Sequence, residues 1–359
     1  MLLLDNRVLA LVMVCFLQIS FASLLEKRAM PLFIRQWQLW HTYSGVVNQV
    51  DPFTAPTIPA SIPYGYIGSN NGKISSFLFQ AQPEDCDNTN VQAVKVLGEG
   101  SYGVVYKGKV VEPASQAGTF VAVKYTKSRN PTARMLTGAR IQSSIDSQYV
   151  LKVYGYFQTQ QGTGGLITPI IAGGGLRDQT IDIQGVGESM VNKVFKQILQ
   201  GVSALHSRRV MHRDIKPDNI LWDGTTAYIA DMDTASTESS TREIVVAKGD
   251  GIGTPGYISP EQLNLQMYTK SVDVFAVGMT WVRMNVNEMW EGKPFLKFWK
   301  AVVQPVSGNM YNTPQEVSSI LQEYEISRDM RNLLKDVLCG PAERITIDQF
   351  LARWRTIKG

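Results

Sequence analysis

The stretch VMHRDIKPDNIL, residues 210–221, constrains this chain more than any other. Asp214, Lys216 and Asn219 fall within six residues, bracketed by apolar Val210, Met211, Ile220 and Leu221. A carboxylate, an ammonium and a carboxamide converging on one loop can orient a hydroxyl, neutralise a phosphoryl group and ligate a hard cation. Asp231 follows 12 residues after Asn219, across a DGTT turn between two strand-like runs. A hairpin there brings the two near each other and supplies two oxygen ligands for magnesium. Taken alone, the pair Asp231 and Asp233 in AYIADMDTAS admits three readings: a metal site, an acid and a base, or a solvated turn.

A second signal lies upstream. VLGEGSYGVVYKGKV carries Gly98, Gly100 and Gly103 in G-x-G-x-x-G, with Val104 directly after. Glycines let the backbone approach phosphate closely with its amides pointing inward. Dinucleotide-binding folds share this pattern but need a helix directly after the glycines. Here VVYKGKVV alternates like a strand, which favours a glycine-rich hairpin over phosphates, with an ordinary turn as the alternative. TFVAVKYT then places Lys124 at the end of an apolar strand, either snorkelling to solvent or aimed at an anion. Strand-like alternation fills 91–125, and the pattern predicts a helix over 133–146, strands over 151–157 and 166–171, and a helix over 188–207. Beyond residue 260 the pattern is mostly helical. Strands first and helices later predict an α+β, two-lobed architecture.

Taken in order, these motifs resemble those of the eukaryotic-type protein kinase family, over roughly residues 91–357. The glycine loop, V-A-V-K, H-R-D-x-K-P-x-N, the Asp231 position, G-T-P-x-Y-x-x-P-E and a D-x-x-x-x-G helix are all present. The resemblance implies a small antiparallel β-rich lobe over about 91–171 and a larger helical lobe over about 172–357. It implies ATP and Mg2+ as cofactors and a protein as substrate. Gly98, Gly100, Gly103 and Val104 would cover the nucleotide, Lys124 would hold its α/β-phosphates, and Thr168 would sit near the gatekeeper position. Asp214 would be the catalytic base and Lys216 would steady the γ-phosphate, with Asn219 and Asp231 binding magnesium. The Lys-Pro after Asp214 and GTPGYISPE at 253–261 resemble serine/threonine rather than tyrosine kinases. Thr254 would then contact the catalytic loop, Glu261 would pair with Arg344, and Asp273 and Gly278 would lie on the helix anchoring the large lobe. His212 would be structural.

The chain departs from the family at two places. No glutamate occurs from 113 to 187, and Gly138 stands where the lysine-pairing helix glutamate belongs. An unpaired buried charge costs about 3–5 kcal/mol, so Lys124 needs another partner, with Asp146 and Asp231 as candidates and nucleotide phosphate as a third. Asp231-Met232-Asp233 replaces Asp-Phe-Gly, making Asp233 either an extra ligand or a side chain pointing away. Asp250, four residues before Thr254, is either a partner for Arg213 or a solvated loop acid. Two functions follow: an active kinase, or a pseudokinase scaffold that docks another protein with or without ATP.

The N-terminus carries a further expectation. Val8–Ala22 is an apolar run of signal-peptide length, ending in Ser20-Phe21-Ala22, and LLEKR follows with dibasic Lys27-Arg28. The alternative is an uncleaved anchor over Val8–Leu25. Cleavage predicts no stable membrane insertion and a secreted or luminal protein, with delivery into a host cell as one route to ATP. Residues 23–90, with Pro52, Pro56, Pro59 and Pro63, read as an irregular or extended segment. The net charge of +4 over 359 residues, without a long Lys/Arg run, does not suggest nucleic acid.

Overall fold

Alternation of apolar and polar side chains over 91–126 builds a meander, because a strand sends successive side chains to opposite faces. The computed structural model describes residues 67–68 and most of 91–358. Outside the described residues lie 1–66, 69–90, 100–102, 111–116, 127–128, 159–163, 178–186, 238–251, 265, 287–288, 290–291, 306–307 and 359. The apolar run expected to be a signal, most of the expected extension, Gly100 and Asp250 fall among these.

The small lobe contains β1 (Ile67–Gly68), β2 (Val91–Glu99), β3 (Gly103–Val110), β4 (Phe120–Thr126), α1 (Arg129–Ser143), β5 (Gly155–Gln158) and β6 (Gly164–Thr168). Its strands form one six-stranded sheet in the order β1-β5-β6-β4-β3-β2, and every pairing is antiparallel. Ile67 and Gly68, inside the stretch that reads as an irregular extension, pair with Phe157 and Tyr156 at the sheet's edge. One sheet face buries Val91, Val110, Val121, Val123 and Ile167 together. The other buries Val153, Tyr156 and Leu166 beneath Met135 and Ala139 of α1. Lys124 pairs with Leu166 and Ala122 with Thr168, and directly opposed residues share a face. Lys124 and Thr168 therefore point to the side that α1 covers.

The predicted elements shift at their ends. The helix expected over 133–146 runs from Arg129 to Ser143, because Pro131 is tolerated in a first turn. It closes earlier because Ser144 and Ile145 turn back onto the carbonyls of Ile141 and Gln142. The strand expected over 151–157 is realised as Gly155–Gln158. Leu151 and Val153 are buried and Lys152 exposed, with single backbone bonds from Leu151 to Ile229 O and from Tyr154 to Ile167 O in place of a continuous ladder.

The large lobe is built on α2 (Glu188–Ser207), whose buried Val191, Val194, Phe195, Ile198, Leu199, Val202 and Leu205 recur at helical spacing. Two short antiparallel pairs follow: β7 (Val210–Met211) with β10 (Ser236–Thr237), and β8 (Ile220–Trp222) with β9 (Ala227–Ile229). The remaining helices are α3 (Pro260–Leu263), α4 (Ser271–Asn285), α5 (Gly292–Val303), α6 (Pro314–Leu321), α7 (Arg328–Leu334) and α8 (Ile347–Lys358). Phe195 of α2 packs on Phe350 and Trp354 of α8, with centroids 5.8 and 4.7 Å apart. α4 is buried almost all round, and a Cβ at Gly278 would lie 2.6 Å from Val337. Among the described residues no helix is long and apolar enough to cross a membrane.

Candidate active site

The loop between β7 and β8 is held from below by one carboxylate. Asp273, fully buried on α4, accepts hydrogen bonds from the backbone N–H of His212 (2.9 Å) and of Arg213 (2.8 Å). Its Oδ2 also lies 3.0 Å from His206 Nε2. Burial alone would raise the Asp273 carboxyl, but the contact with His206 and the two nearby imidazoles hold it below the usual range. Arg213 adopts φ 68°, a left-handed conformation that a non-glycine residue holds only under such constraint. Its Nε donates to Thr234 O at 2.5 Å. His212 sits within hydrogen-bonding reach of Ala230 O, 2.9 Å away, and is completely buried, as a structural histidine would be.

On this base Asp214, Lys216, Asn219 and Thr254 converge. Lys216 Nζ donates to Asp214 Oδ2 at 2.9 Å and to Thr254 Oγ1 at 2.6 Å. Thr254 Oγ1 donates to Asp214 Oδ1 at 2.7 Å. Asn219 Nδ2 donates to Asp214 O at 2.8 Å and to Asp214 Oδ2 at 3.0 Å. Both carboxylate oxygens of Asp214 are thus oriented, and the amide of Asn219 is turned so that its Oδ1 faces away from Asp214. Thr254 meets the loop as the resemblance implies.

The β8–β9 hairpin brings in the metal candidate. Asp223 Oδ1 accepts from the N–H of Thr225 and Thr226 in the turn, and Ile220 pairs with Ile229. Ala230 N–H donates to Asn219 O at 2.9 Å, which sets Asp231 beside the loop. Asp231 itself is left-handed at φ 59° and opens a 3₁₀ turn over Met232–Thr234.

Lys124 crosses to this turn. Its Nζ donates to Asp231 Oδ1 at 2.7 Å and to Asp233 Oδ2 at 2.8 Å. The lysine is therefore not left unpaired: Asp231 is one partner, and Asp146, the other candidate, lies exposed at the surface. Burial would lower the Lys124 ammonium, but Asp231 and Asp233 more than offset this and raise it. Burial pushes the Asp233 carboxyl up, the neighbouring Asp231 pushes further, and it reaches about 6 despite Lys124. For Asp231 the effect of burial is outweighed by Lys124, which holds its carboxyl low. The Asp231 side chain is 42% exposed, against 12% for Asp233, so Asp231 is the more accessible of the two carboxylates.

The glycine loop has a partial steric rationale. A Cβ at Gly103 would meet Tyr125 O at 2.5 Å, so only glycine allows β3 to approach β4 there. A Cβ at Gly98 would meet nothing within 4 Å, so the chain's own packing does not demand that glycine. Val104 is buried beside Tyr125, and Thr168 is buried with its hydroxyl donating to Pro169 O at 3.3 Å.

These donors fit magnesium-ATP. Asp231 and Asn219 supply hard oxygens, and the two carboxylates beside Lys124 carry one negative charge more than the lysine neutralises. Among the described residues no group of three or more His, Cys, Asp or Glu side chains could hold a metal ion. Magnesium held here by Asn219 and Asp231 would take its remaining ligands from phosphate and water.

Residues 91–354 match the protein kinase domain family. The chain is 26% identical over 212 residues to calcium-dependent protein kinase 4 of Plasmodium berghei, covering 58% of this chain and 40% of that protein. It is 26% identical over 238 residues to serine/threonine-protein kinase TIO of Arabidopsis thaliana, covering 64% of this chain and 17% of that protein. Calcium/calmodulin-dependent protein kinase type 1 of Caenorhabditis elegans is 26% identical over 191 residues, covering 51% of this chain and 52% of that protein. The chain thus spans about half or less of the length of these relatives. With an antiparallel small lobe, a helical large lobe and the loop, turn and lysine meeting between them, this chain belongs to the protein kinase domain family.

Proposed function

We propose that the chain is a serine/threonine protein kinase, transferring the γ-phosphate of ATP to hydroxyls on a protein substrate. The carrying observation is the Asp214–Lys216–Thr254 triangle, in which a threonine of the GTPGYISPE segment orients the carboxylate of the catalytic loop. Bound magnesium-ATP supplies the phosphoryl group, with Asn219 and Asp231 holding the metal and Lys124 the phosphates. Asp214 accepts the proton of the substrate hydroxyl, and Lys216 faces the charge that develops on the transferring group. The test incubates the full chain with labelled ATP, magnesium or manganese, and a generic basic protein, then hydrolyses the product. Label is expected on phosphoserine and phosphothreonine; label confined to phosphotyrosine, or none at all, sinks this reading. The ion pair between Lys124 and Asp231 favours a second reading, a scaffold whose nucleotide lysine is held by its own chain. ATP-induced thermal stabilisation without incorporation is its signature.

We further propose that Val8–Ala22 is a cleaved signal that places the enzyme in the secretory lumen or outside the cell, delivery into a host cell included. Mass spectrometry of the protein from culture medium is expected to find an N-terminus beyond Ala22. Intact Met1 in cytosolic fractions would overturn it.

A further inference from the structure

The two departures from the family meet in space. Gly138 lies on the buried face of α1, and a Cβ there would overlap the Met232 carbonyl and sit 3.1 Å from Asp233 N. The helix therefore rests directly on the backbone of the turn that carries Asp233. From that turn, Asp233 Oδ2 reaches Lys124 Nζ at 2.8 Å, with side-chain exposures of 12% and 19%.

We infer that Asp233 is the positioning residue for Lys124, replacing a carboxylate on α1, and that Gly138 exists to let α1 seat against it. The inference rests on the kinase reading proposed above for its catalytic consequence, but the pairing itself does not. A side chain at 138 and a carboxylate at 233 exclude one another, since any Cβ on the helix would push the turn, and Asp233 with it, away from the lysine. Each substitution looks damaging alone; together they move the anchoring charge from the helix to the turn. The turn then holds two carboxylates on one ammonium, at 2.7 and 2.8 Å. Asp231, the more exposed of the two, is the one able to turn toward a metal in the cleft, while Asp233 keeps Lys124 in place. In this chain the lysine is positioned by the large lobe's turn, so its placement no longer depends on a charged residue of α1.

A thermal double-mutant cycle without nucleotide tests the pairing, using Asp233→Asn, Lys124→Met and their combination. The double variant is expected to lose less than the sum of the single losses, by about 2–8 °C. Additive losses would overturn the inference whether or not the chain phosphorylates anything. Where wild-type activity is measurable, Asp233→Asn is expected to lower kcat by up to about 100-fold through misplacement of the lysine, with a smaller change in the KM for ATP. Gly138→Ala, which adds one carbon and no charge, is expected to lower kcat in the same direction. An Asp233→Asn variant with unchanged kcat, or a Gly138→Ala variant indistinguishable from wild type, counts against the inference. Failure of the kinase reading shows differently, as absent wild-type incorporation with the thermal coupling intact.

Discussion

Asp214→Asn lowers the initial rate of phosphate incorporation by about 10²–10⁴-fold, the range that a positioned general base contributes. The geometry makes this substitution informative. Asp214 Oδ1 accepts from Thr254 and Oδ2 from Lys216 and Asn219, so the side chain sits in a frame of three donors. Asparagine keeps the shape and one acceptor oxygen, and the Thr254 hydroxyl can rotate to accept from the new amide. A net loss of about 1 kcal/mol for a disturbed hydrogen bond corresponds to a melting temperature lower by only about 2–4 °C. The expected signature is thus a large activity loss with a small stability loss, read by rate assay and thermal unfolding on the same preparation. An asparagine variant within tenfold of wild type would mean that another group takes the proton.

The loop around Asp214 was legible because its chemistry is local. Spacing alone placed Asp214, Lys216 and Asn219 on one turn, and the DGTT hairpin brought Asp231 beside them as expected. The pairing of Thr254 with Asp214 and of Glu261 with Arg344 was legible only through the resemblance, because 40 and 83 residues separate the partners. Asp273 was expected on the helix that anchors the large lobe, but its grip on the N–H groups of His212 and Arg213 is a backbone contact that no side-chain pattern announces.

The pairing of Asp233 with Lys124 was not read from the sequence. As a residue Asp233 read as an extra ligand or a side chain pointing away, and Gly138 read as the loss of the helix glutamate. The missing fact was three-dimensional: how close α1 comes to the 232–233 backbone decides where a carboxylate can stand. A helix with glycine at that point can close the gap, and a lysine 109 residues earlier than Asp233 then finds its second partner there. A signal was present in the coincidence of the two departures, since a lost carboxylate and a gained one on either side of one lysine suggest an exchange. The same limit explains the strand expected over 151–157. Burial of Leu151 and Val153 mimics the period of a ladder, and only the neighbouring strand decides whether one forms.

Glu261→Gln is expected to destabilise the fold by about 3–5 kcal/mol, the cost of leaving one member of a buried ion pair behind. Both side chains of the Glu261–Arg344 pair are completely buried. Arg344 holds Glu261 with both terminal nitrogens, Nη2 to Oε2 at 3.0 Å and Nη1 to Oε1. It also donates to Cys339 O from Nη2 at 2.7 Å and to Ser271 O from Nη1 at 3.1 Å. One guanidinium therefore ties α3, the start of α4 and the turn at 339–344 into one unit. At about 2–4 °C per kcal/mol, the variant should melt about 6–20 °C lower. A shift under 2 °C in calorimetry would show that the pair is not what joins these segments. Arg344→Lys separates charge from geometry. Lysine retains the cation but lacks the planar fork, so it cannot meet both carboxylate oxygens and two carbonyls at once. If the loss from Arg344→Lys approaches that from Glu261→Gln, the shape of the guanidinium, and not its charge, is what the large lobe is built around.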